Sequence, residues 1–149
     1  MKIRINVSEE NYNLVKDYLA GHGVEISEEA EYVIMESSKF PEFLTVRDEK
    51  KERMRLSVDE VIYIEAFGKD IEIHTERGTY YSTDRMYQLE DNLDPQEFLR
   101  VSKSVIISKK HVKKIRASLS MKYVLTLTDG TLVDVTRSYY TDFRRFFNI

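Results

Sequence analysis

The sequence of 149 residues contains no cysteine, only two prolines and no apolar run near the roughly 18 residues of a membrane span. The missing cysteine excludes disulfides, thiol catalysis and cysteine-based zinc sites, and it fits a reducing compartment. The first residues, MKIRINVSEE, also lack the long apolar stretch of a secretory signal. Together these absences predict a cytoplasmic protein.

Enzyme chemistry has little support in the sequence. His22, His74 and His111 are scattered, without the spacing of a metal site or a catalytic triad. The glycines form no phosphate-binding loop. Glu65 and Asp70 leave a small hydrolase open as an alternative, although acidic strand faces are usually solvated surface. We therefore predict a protein that is not an enzyme and that needs no metal or cofactor.

Charge is distributed unevenly along the chain. Residues 100–149 contain eleven Lys or Arg side chains and three Asp side chains, a net charge of +8, whereas residues 1–50 and 51–99 carry −5 and −6. A basic surface on an otherwise acidic protein is typical of polyanion binding. A solvated basic face without a ligand is the alternative that charge alone leaves open.

Residues 1–44 predict a small β-α-β unit. The first seven residues alternate between apolar and polar, as in a strand with one solvated face. Ser8 then precedes a helical pattern that a pair of glycines ends, and the segment YVIM at 32–35 predicts the second strand. Because so small a unit buries little apolar surface, we expect it to pack on the rest of the chain or on a second copy.

Residues 45–149 predict a mainly β fold of antiparallel sheets with one short helix. Alternating segments flank three turns: the loop DEKKE, the residues Phe67-Gly68-Lys69 and the pair Asp129-Gly130. The Asp-Gly pair predicts a type I′ hairpin turn. The helix is predicted over DRMYQLEDNL, with Thr83 or Asp84 as its N-cap.

The stretch FLRVSKSVIIS, residues 98–108, places a lysine in the middle of an apolar alternation. An unpaired ammonium in a core costs several kcal/mol. Either the strand breaks near Ser102 and Ser104, or Lys103 reaches a partner outside the core.

The segment that follows is rich in cations interleaved with Val112 and Ile115, which we expect to point inward. Long cationic side chains on an anchored segment suit phosphate contacts, which set affinity but carry no sequence information. The candidates for phosphate contact are Lys109, Lys110, Lys113, Lys114 and Arg116.

Arg137 directly follows the predicted strand TLVDVT. An arginine at a strand end can bond the two acceptors of guanine in the major groove of DNA. The alternative is a surface ion pair with Asp134 or Asp142, an interaction of small energy.

Taken together, these segments resemble the LytTR DNA-binding domain of bacterial transcription regulators. The family's elements recur in order over roughly residues 45–149, in RLSVDEVIYIEAFGKDIEIHT, YQLEDNL, FLRVSKSVIISKKHVKKI and LTLTDGTLVDVTRSYYTDF. The resemblance implies a LytTR-like β fold that grips double-stranded DNA through loops entering successive major grooves. Carried over by position, the implied base contacts are Lys69, Lys103 and Arg137, with Gly68, Asp70, Ser102, Ser104 and Ser108 as further loop candidates.

The second of the family's motifs departs from the common pattern. Val101-Ser102-Lys103-Ser104 has serine for the usual histidine and lysine for the usual arginine, and Ser108 stands where asparagine is frequent. Lysine is a point charge without a planar fork. A phosphate or single-acceptor contact is therefore as compatible with Lys103 as base reading is.

The resemblance also implies partners and regulation. Many family members carry an N-terminal receiver domain with a phosphorylated aspartate, and residues 1–44 are too few for one, so we expect no such switch here. Pairs of LytTR proteins bind direct repeats, which implies a homodimer with residues 1–44 as a candidate dimerisation unit. Short members often accompany a membrane protein, a possible regulatory partner. The competing hypothesis is a β-rich protein-interaction module that adds a partner's peptide as a strand.

Overall fold

The computed structural model of the protein describes residues 1–36 and 40–149. It contains two compact units, one preceding Phe40 and one spanning Phe40–Ile149. The sequence predicted the boundary between units after residue 44. In the described residues, every helix is too short or too polar to cross a membrane.

The first unit is a three-stranded sheet with one helix. Both outer strands pair in parallel with the first strand, in the order β2-β1-β3. The elements are β1 (Lys2–Asn6), α1 (Glu9–Ala20), β2 (Glu25–Ile26) and β3 (Tyr32–Met35). The predicted β-α-β unit is thus confirmed, with β2 as an additional two-residue strand.

The carboxylate of Glu36 accepts hydrogen bonds at the start of helix α1. Ser8 is the N-cap residue, as predicted, but its hydroxyl does not cap the helix. Its backbone N–H and its hydroxyl instead donate to Oε1 of Glu36 at 2.9 Å and 2.8 Å, and Asn11 Nδ2 donates to the same oxygen at 3.1 Å. These bonds, first the one from the Ser8 backbone, hold the pKa of Glu36 below its usual value.

The second unit is built on a seven-stranded antiparallel sheet, the central sheet, with strand order β5-β4-β8-β7-β6-β10-β9. Its strands are β4 (Phe43–Arg47), β5 (Arg53–Ser57), β6 (Val61–Phe67), β7 (Asp70–Thr75), β8 (Gly78–Ser82), β9 (Phe98–Arg100) and β10 (Val105–Ser108). A three-stranded antiparallel sheet, the small sheet, contains β11 (Val112–Ser118), β12 (Lys122–Leu127) and β13 (Leu132–Val135). The helices of this unit are α2 (Met86–Asn92) and α3 (Tyr140–Phe147).

The central sheet is buried on both faces, which explains the unbroken apolar run at the start of β6. Ile64 and Ile106 belong to a core that includes residues of α2. Their sequence neighbours Tyr63 and Ile107 belong to a second core with the small sheet and Phe143 of α3. Because successive side chains of a strand point to opposite faces, the unit has α2 on one side of the central sheet and the small sheet with α3 on the other.

Two of the predicted hairpin turns differ in length and in backbone conformation. The β6–β7 hairpin closes on the pair Phe67 and Asp70, and Gly68 has a positive φ of 57°, as at the first central position of a type II′ turn. In the β12–β13 hairpin, Leu127 N–H bonds the Thr131 carbonyl, so three residues form the loop. Gly130 alone among these three has a positive φ. The predicted type I′ turn is therefore wrong, because that turn needs two such residues in a two-residue loop.

The two helices of the second unit also differ from expectation. Helix α2 begins at Met86 with Arg85 as its N-cap, so Thr83 and Asp84 were wrong as caps. The Arg85 N–H donates to Gln88 Oε1 at 2.8 Å, so the side chain of the third helical residue satisfies the amide of the N-cap residue. Helix α3 was not predicted, although its Phe143 is fully buried in the second core.

Candidate nucleic-acid interface

Lys103 lies where the strand pattern of residues 98–108 is interrupted. Strand β9 ends at Arg100 and β10 begins at Val105, and these two antiparallel strands enclose an exposed loop with Lys103 in it. Val101 and Val105 on either side are buried. The prediction that the strand breaks near Ser102 and Ser104 is confirmed, and the apolar pattern continues only outside the break.

Arg100 holds this loop in shape. Its Nε donates to the Ser102 carbonyl at 3.2 Å, and its Nη2 donates to the Lys103 carbonyl. Its Nη1 lies 3.3 Å from Glu90 Oε2, an ion pair with α2. The guanidinium is thus engaged inside the protein, and the carbonyls that it binds fix the backbone on which Lys103 stands.

Two backbone hydrogen bonds join this loop to the other predicted contact residues. The Ala66 N–H donates to the Ser104 carbonyl at 2.8 Å. Ala66 is the last residue but one of β6, and the turn that contains Lys69 follows this strand. The Thr136 N–H donates to the Val101 carbonyl at 3.0 Å, immediately before Arg137. Segments far apart in the chain therefore meet at one edge of the unit. We call it the loop edge: residues 68–70, residues 102–104 and Arg137.

The three cations of the loop edge are exposed and have no acidic partner. Within residues 1–36 and 40–149, no carboxylate oxygen lies within 4.0 Å of the cationic groups of Lys69, Lys103 or Arg137. The ion pair of Arg137 with Asp134 or Asp142, the alternative considered from the sequence, does not form. These cations therefore keep their full capacity to bind an external anion.

Two of the predicted phosphate contacts lie far from the loop edge. Lys109 and Lys110 follow the last residue of β10, whereas Lys103 precedes its first, so they sit at opposite ends of that strand. Lys109 Nζ lies 5.1 Å from the ring centroid of Phe146. Lys110 Nζ lies 3.1 Å from Asp59 Oδ1. Both ammonium groups are already engaged within the protein.

The other three predicted phosphate contacts lie along β11, an edge strand of the small sheet. Lys113, Lys114 and Arg116 are exposed. The strand runs toward the loop edge, since Ala117 pairs with Tyr123, and Tyr123 pairs with Val135, just before Arg137.

The inward anchoring predicted for β11 is only partial. Val112 packs against the second core. Ile115 pairs with the fully buried Leu125 and therefore lies on the core face of β11, but it remains 37% exposed. Ile115 points inward as expected, and the core covers it only in part.

The serines of the motif are placed differently from one another. Ser102 and Ser104 lie in the loop, where the Ser104 N–H donates to Ser102 Oγ at 3.3 Å. Ser108 is fully buried at the opposite end of β10, and its neighbour Lys109 donates its N–H to the Glu97 carbonyl. A buried hydroxyl cannot contact DNA in this conformation, so we remove Ser108 from the candidate contacts.

The histidines are engaged in local structure. His74 stacks on Tyr63 with ring centroids 4.2 Å apart, and its Nε2 lies 3.2 Å from Glu72 Oε2. His111 Nδ1 lies 2.9 Å from Thr128 Oγ1. The described part of the chain brings together no set of three His, Asp or Glu side chains suited to a metal ion.

Arg100 and the tip of the β11–β12 hairpin were missed from the sequence. Arg100 binds backbone carbonyls, and no side-chain spacing reports that role. The hairpin was missed because a register shift between Val112 and Lys114 breaks the apolar alternation of β11. Residues 119–121 of its tip lie beyond the ends of β12 and β13 that adjoin the loop edge.

Comparisons with known proteins agree with this arrangement. The family model of the LytTr DNA-binding domain matches residues 51–148. The transcriptional regulatory protein LytR of Staphylococcus aureus strain N315 is 32% identical over 108 residues, which are 72% of this chain and 44% of that protein. The sensory transduction protein LytT of Bacillus anthracis is 26% identical over 94 residues, 63% of this chain and 38% of that protein.

A solved LytTr DNA-binding domain from Bacillus cereus superimposes with a TM-score of 0.69 at 23% identity, over 73% of this chain and 99% of that one. This likeness confirms the mainly β fold. The chain spans less than half the length of the two curated relatives. The matched family is one of DNA-binding domains and not of enzymes, and residues 51–148 make up most of this chain. The chain therefore belongs to the LytTr DNA-binding domain family.

Proposed function

We propose that this protein is a transcription regulator that binds a specific sequence of double-stranded DNA through the loop edge. The observation that carries the proposal is the meeting of three exposed, unpaired cations from distant segments of the chain at one edge. Loops fixed by backbone hydrogen bonds can present such groups to successive major grooves. Family membership supports DNA as the ligand.

The side chains of the loop edge have different chemical capacities. Arg137 can bond two acceptors of one guanine through its planar fork, and it is our candidate for direct base reading. Lys103 and Lys69 are point charges, each able to contact one acceptor or a phosphate. Asp70 is the single carboxylate of the loop edge, and it would repel phosphate unless it accepts a hydrogen bond from a base.

Phosphate contacts belong, in this proposal, to Lys113, Lys114 and Arg116 on β11. These three extend the positive surface from the loop edge along an exposed strand. Lys109 and Lys110 are left out because their ammonium groups are engaged at the far end of β10. Each phosphate that a cation neutralises releases counterions and makes binding more sensitive to salt.

We further propose that two copies bind direct repeats, held together by the first unit. Its helix α1 exposes Leu14 and Tyr18, four residues apart and therefore on one side of the helix. A second copy is the occupant that repeated DNA sites favour. Action on DNA supports a cytoplasmic location, and a membrane protein as regulatory partner stays a prediction without an assigned surface.

Strand addition of a partner peptide receives less support. Edge strand β11 carries Lys113, Lys114 and Arg116, and edge strand β5 carries Arg53 and Arg55. Lysine and other charged side chains on an edge strand oppose pairing with a further strand.

The proposal is tested by selecting duplexes from a random pool and measuring binding of the selected site by fluorescence anisotropy at several salt concentrations. We expect a repeated motif, and an affinity that falls steeply with salt because several phosphates are neutralised. A pool without enrichment and the absence of salt-dependent binding would contradict the proposal. A peptide ligand would then become the leading hypothesis.

A further inference from the structure

The tip of the β11–β12 hairpin presents apolar side chains to solvent. Leu119 is 88% exposed and Met121 is 49% exposed. The charged side chains of the hairpin from Val112 to Leu127 are all cationic: Lys113, Lys114, Arg116 and Lys122, with no acidic residue. The hairpin thus combines an exposed apolar tip with charge of one sign.

The backbone of this tip is held in an unusual conformation. Ser120 and Met121 both have positive φ values, 66° and 57°. The left-handed region costs residues other than glycine roughly 1–2 kcal/mol each. Neither residue is glycine or asparagine, so the turn is destabilised by this amount. The same turn exposes the apolar side chains of Leu119 and Met121. Strain of this kind is concentrated at functional positions.

The tip lies at the same end of the unit as the loop edge. Ser118 pairs with Lys122 at the end of the hairpin, and Tyr123 next to it pairs with Val135. Two residues after Val135 comes Arg137, whose predecessor Thr136 is hydrogen-bonded to the Lys103 loop. A duplex lying against the loop edge therefore passes the tip as well.

The combination of charge and apolar surface identifies the kind of partner. A hairpin whose charged side chains are all cationic suits a polyanion. Duplex DNA is a polyanion with an apolar interior, the stacked bases, which side chains reach when they enter the minor groove. Leucine, methionine and phenylalanine are among the side chains that proteins use as wedges between base steps.

We propose that Leu119 is such a wedge: it inserts from the minor groove between two base pairs next to the contacts of the loop edge, partly unstacks them and bends the duplex. Met121 packs on the adjacent sugar, and Lys122 and Arg116 neutralise the flanking phosphates. This inference rests on the proposed function. It adds a contribution to specificity, because the base step that is easiest to unstack is the preferred one.

Two measurements on the selected duplex test the wedge. 2-Aminopurine, placed at successive steps, gains fluorescence where a base is unstacked, and energy transfer between the labelled duplex ends reports the bend. We expect the full chain to produce one bright step in each repeat that a copy occupies, and a bend at each within the roughly 20–90° that wedges produce. Leu119→Ala should remove the bright step, decrease the bend and weaken binding about tenfold, while Leu119→Phe should retain all three effects.

Leu132→Ala is the matched control. Leu132 is 67% exposed, belongs to the same sheet and lies at its opposite end, paired with Thr126. This variant should bind and bend DNA like the unchanged chain. The slope of affinity against salt should be equal in all three variants, since none removes a charge.

The outcomes separate this inference from the proposed function. If the unchanged chain binds the selected site and Leu119→Ala gives the same fluorescence and the same bend, the wedge is wrong and the regulator proposal stands. Weaker binding of Leu119→Ala with unchanged fluorescence and bend would also overturn the wedge, since it indicates surface contact only. If the unchanged chain binds no DNA, the proposed function itself fails.

Discussion

A lysine in an apolar strand pattern is costly unless the strand ends at that point. At Lys103 the strand does end, and the side chain stands in solvent between two buried valines. The cost of burying an ammonium made this break predictable from the sequence. The engagement of Lys109 and Lys110 was not predictable in this way, because their partners Phe146 and Asp59 are distant in the chain and only the fold brings them near.

Replacement of Lys103 tests whether the loop edge binds DNA. We expect Lys103→Ala to weaken DNA binding while its melting temperature stays nearly unchanged, because the side chain is exposed and makes no ion pair within the described chain. Lys110→Ala, another exposed lysine at the other end of β10, is the control and should bind as before. Anisotropy and thermal melting give both quantities. A large fall in melting temperature with intact binding would show that Lys103 is structural.

Arg137 and Lys113 should differ in what they contribute. Arg137→Ala should cost about 1–3 kcal/mol on the selected site and relax the preference at one base position. Lys113→Ala should weaken all sequences alike and decrease the salt slope by about 1. The measurement is anisotropy on the selected duplex, on single-base variants and on random DNA. Equal losses on random DNA for both variants would remove the base-reading role from Arg137.

At the scale of elements, the sequence predicted the hairpin turns and the strands of the central sheet, but it did not predict the edge strand β11 or helix α3. The hairpins around residues 68–69 and 129–130 follow from alternation and turn residues, although the second turn is one residue longer than its Asp-Gly pair suggests. Strand β11 was missed because the register shift after Val112 breaks its apolar alternation. Helix α3 was missed because its apolar residues are aromatic, and aromatic residues favour strands unless tertiary packing decides otherwise.

The link between Glu36 and the start of α1 predicts a pH dependence. The pKa of Glu36 is lowered in the folded unit. Its ionised carboxylate therefore stabilises the folded unit at pH values above the ordinary glutamate pKa of about 4.3, and this stabilisation is lost as the pH falls through the lower folded pKa. Hydrogen exchange of the amides of Ile3 and Leu19 at several pH values measures this loss. Glu36→Gln should flatten the dependence, and Glu31→Gln, an exposed neighbour, should leave it intact. Equal pH profiles for the unchanged chain and Glu36→Gln would contradict the role.

At the scale of the whole molecule, charge is divided between the parts of the chain. The acidic side chains are concentrated in the first two thirds and the basic ones in the last third, where Lys103, Arg137, β11 and the hairpin tip lie. This division was countable from the sequence, and it predicted polyanion binding without its geometry. The geometry depends on antiparallel register, which decides which strand ends share an edge.

Dimerisation through the first unit is open to a direct test. The double variant Leu14→Asp, Tyr18→Asp should convert dimers to monomers in sedimentation experiments, because it places two carboxylates on the exposed side of α1 that we assign to the second copy. On a duplex with two repeats, binding should lose cooperativity, while affinity for a single repeat is kept. Asn13→Asp, exposed on the same helix, is the control. A chain that is monomeric before any substitution, free and on DNA, would remove this role.

The central sheet is shared by two cores, and this arrangement couples the loop edge, our proposed DNA-binding site, to the global fold. Strands β6 and β10 supply side chains to both cores, and two loops of the loop edge follow or precede the ends of these strands directly. Neither core can open without exposing one face of the strands that carry Lys69 and Lys103. We therefore expect the loop edge to melt together with the rest of the unit. On heating, affinity for DNA should be lost at the temperature at which residues 40–149 unfold cooperatively.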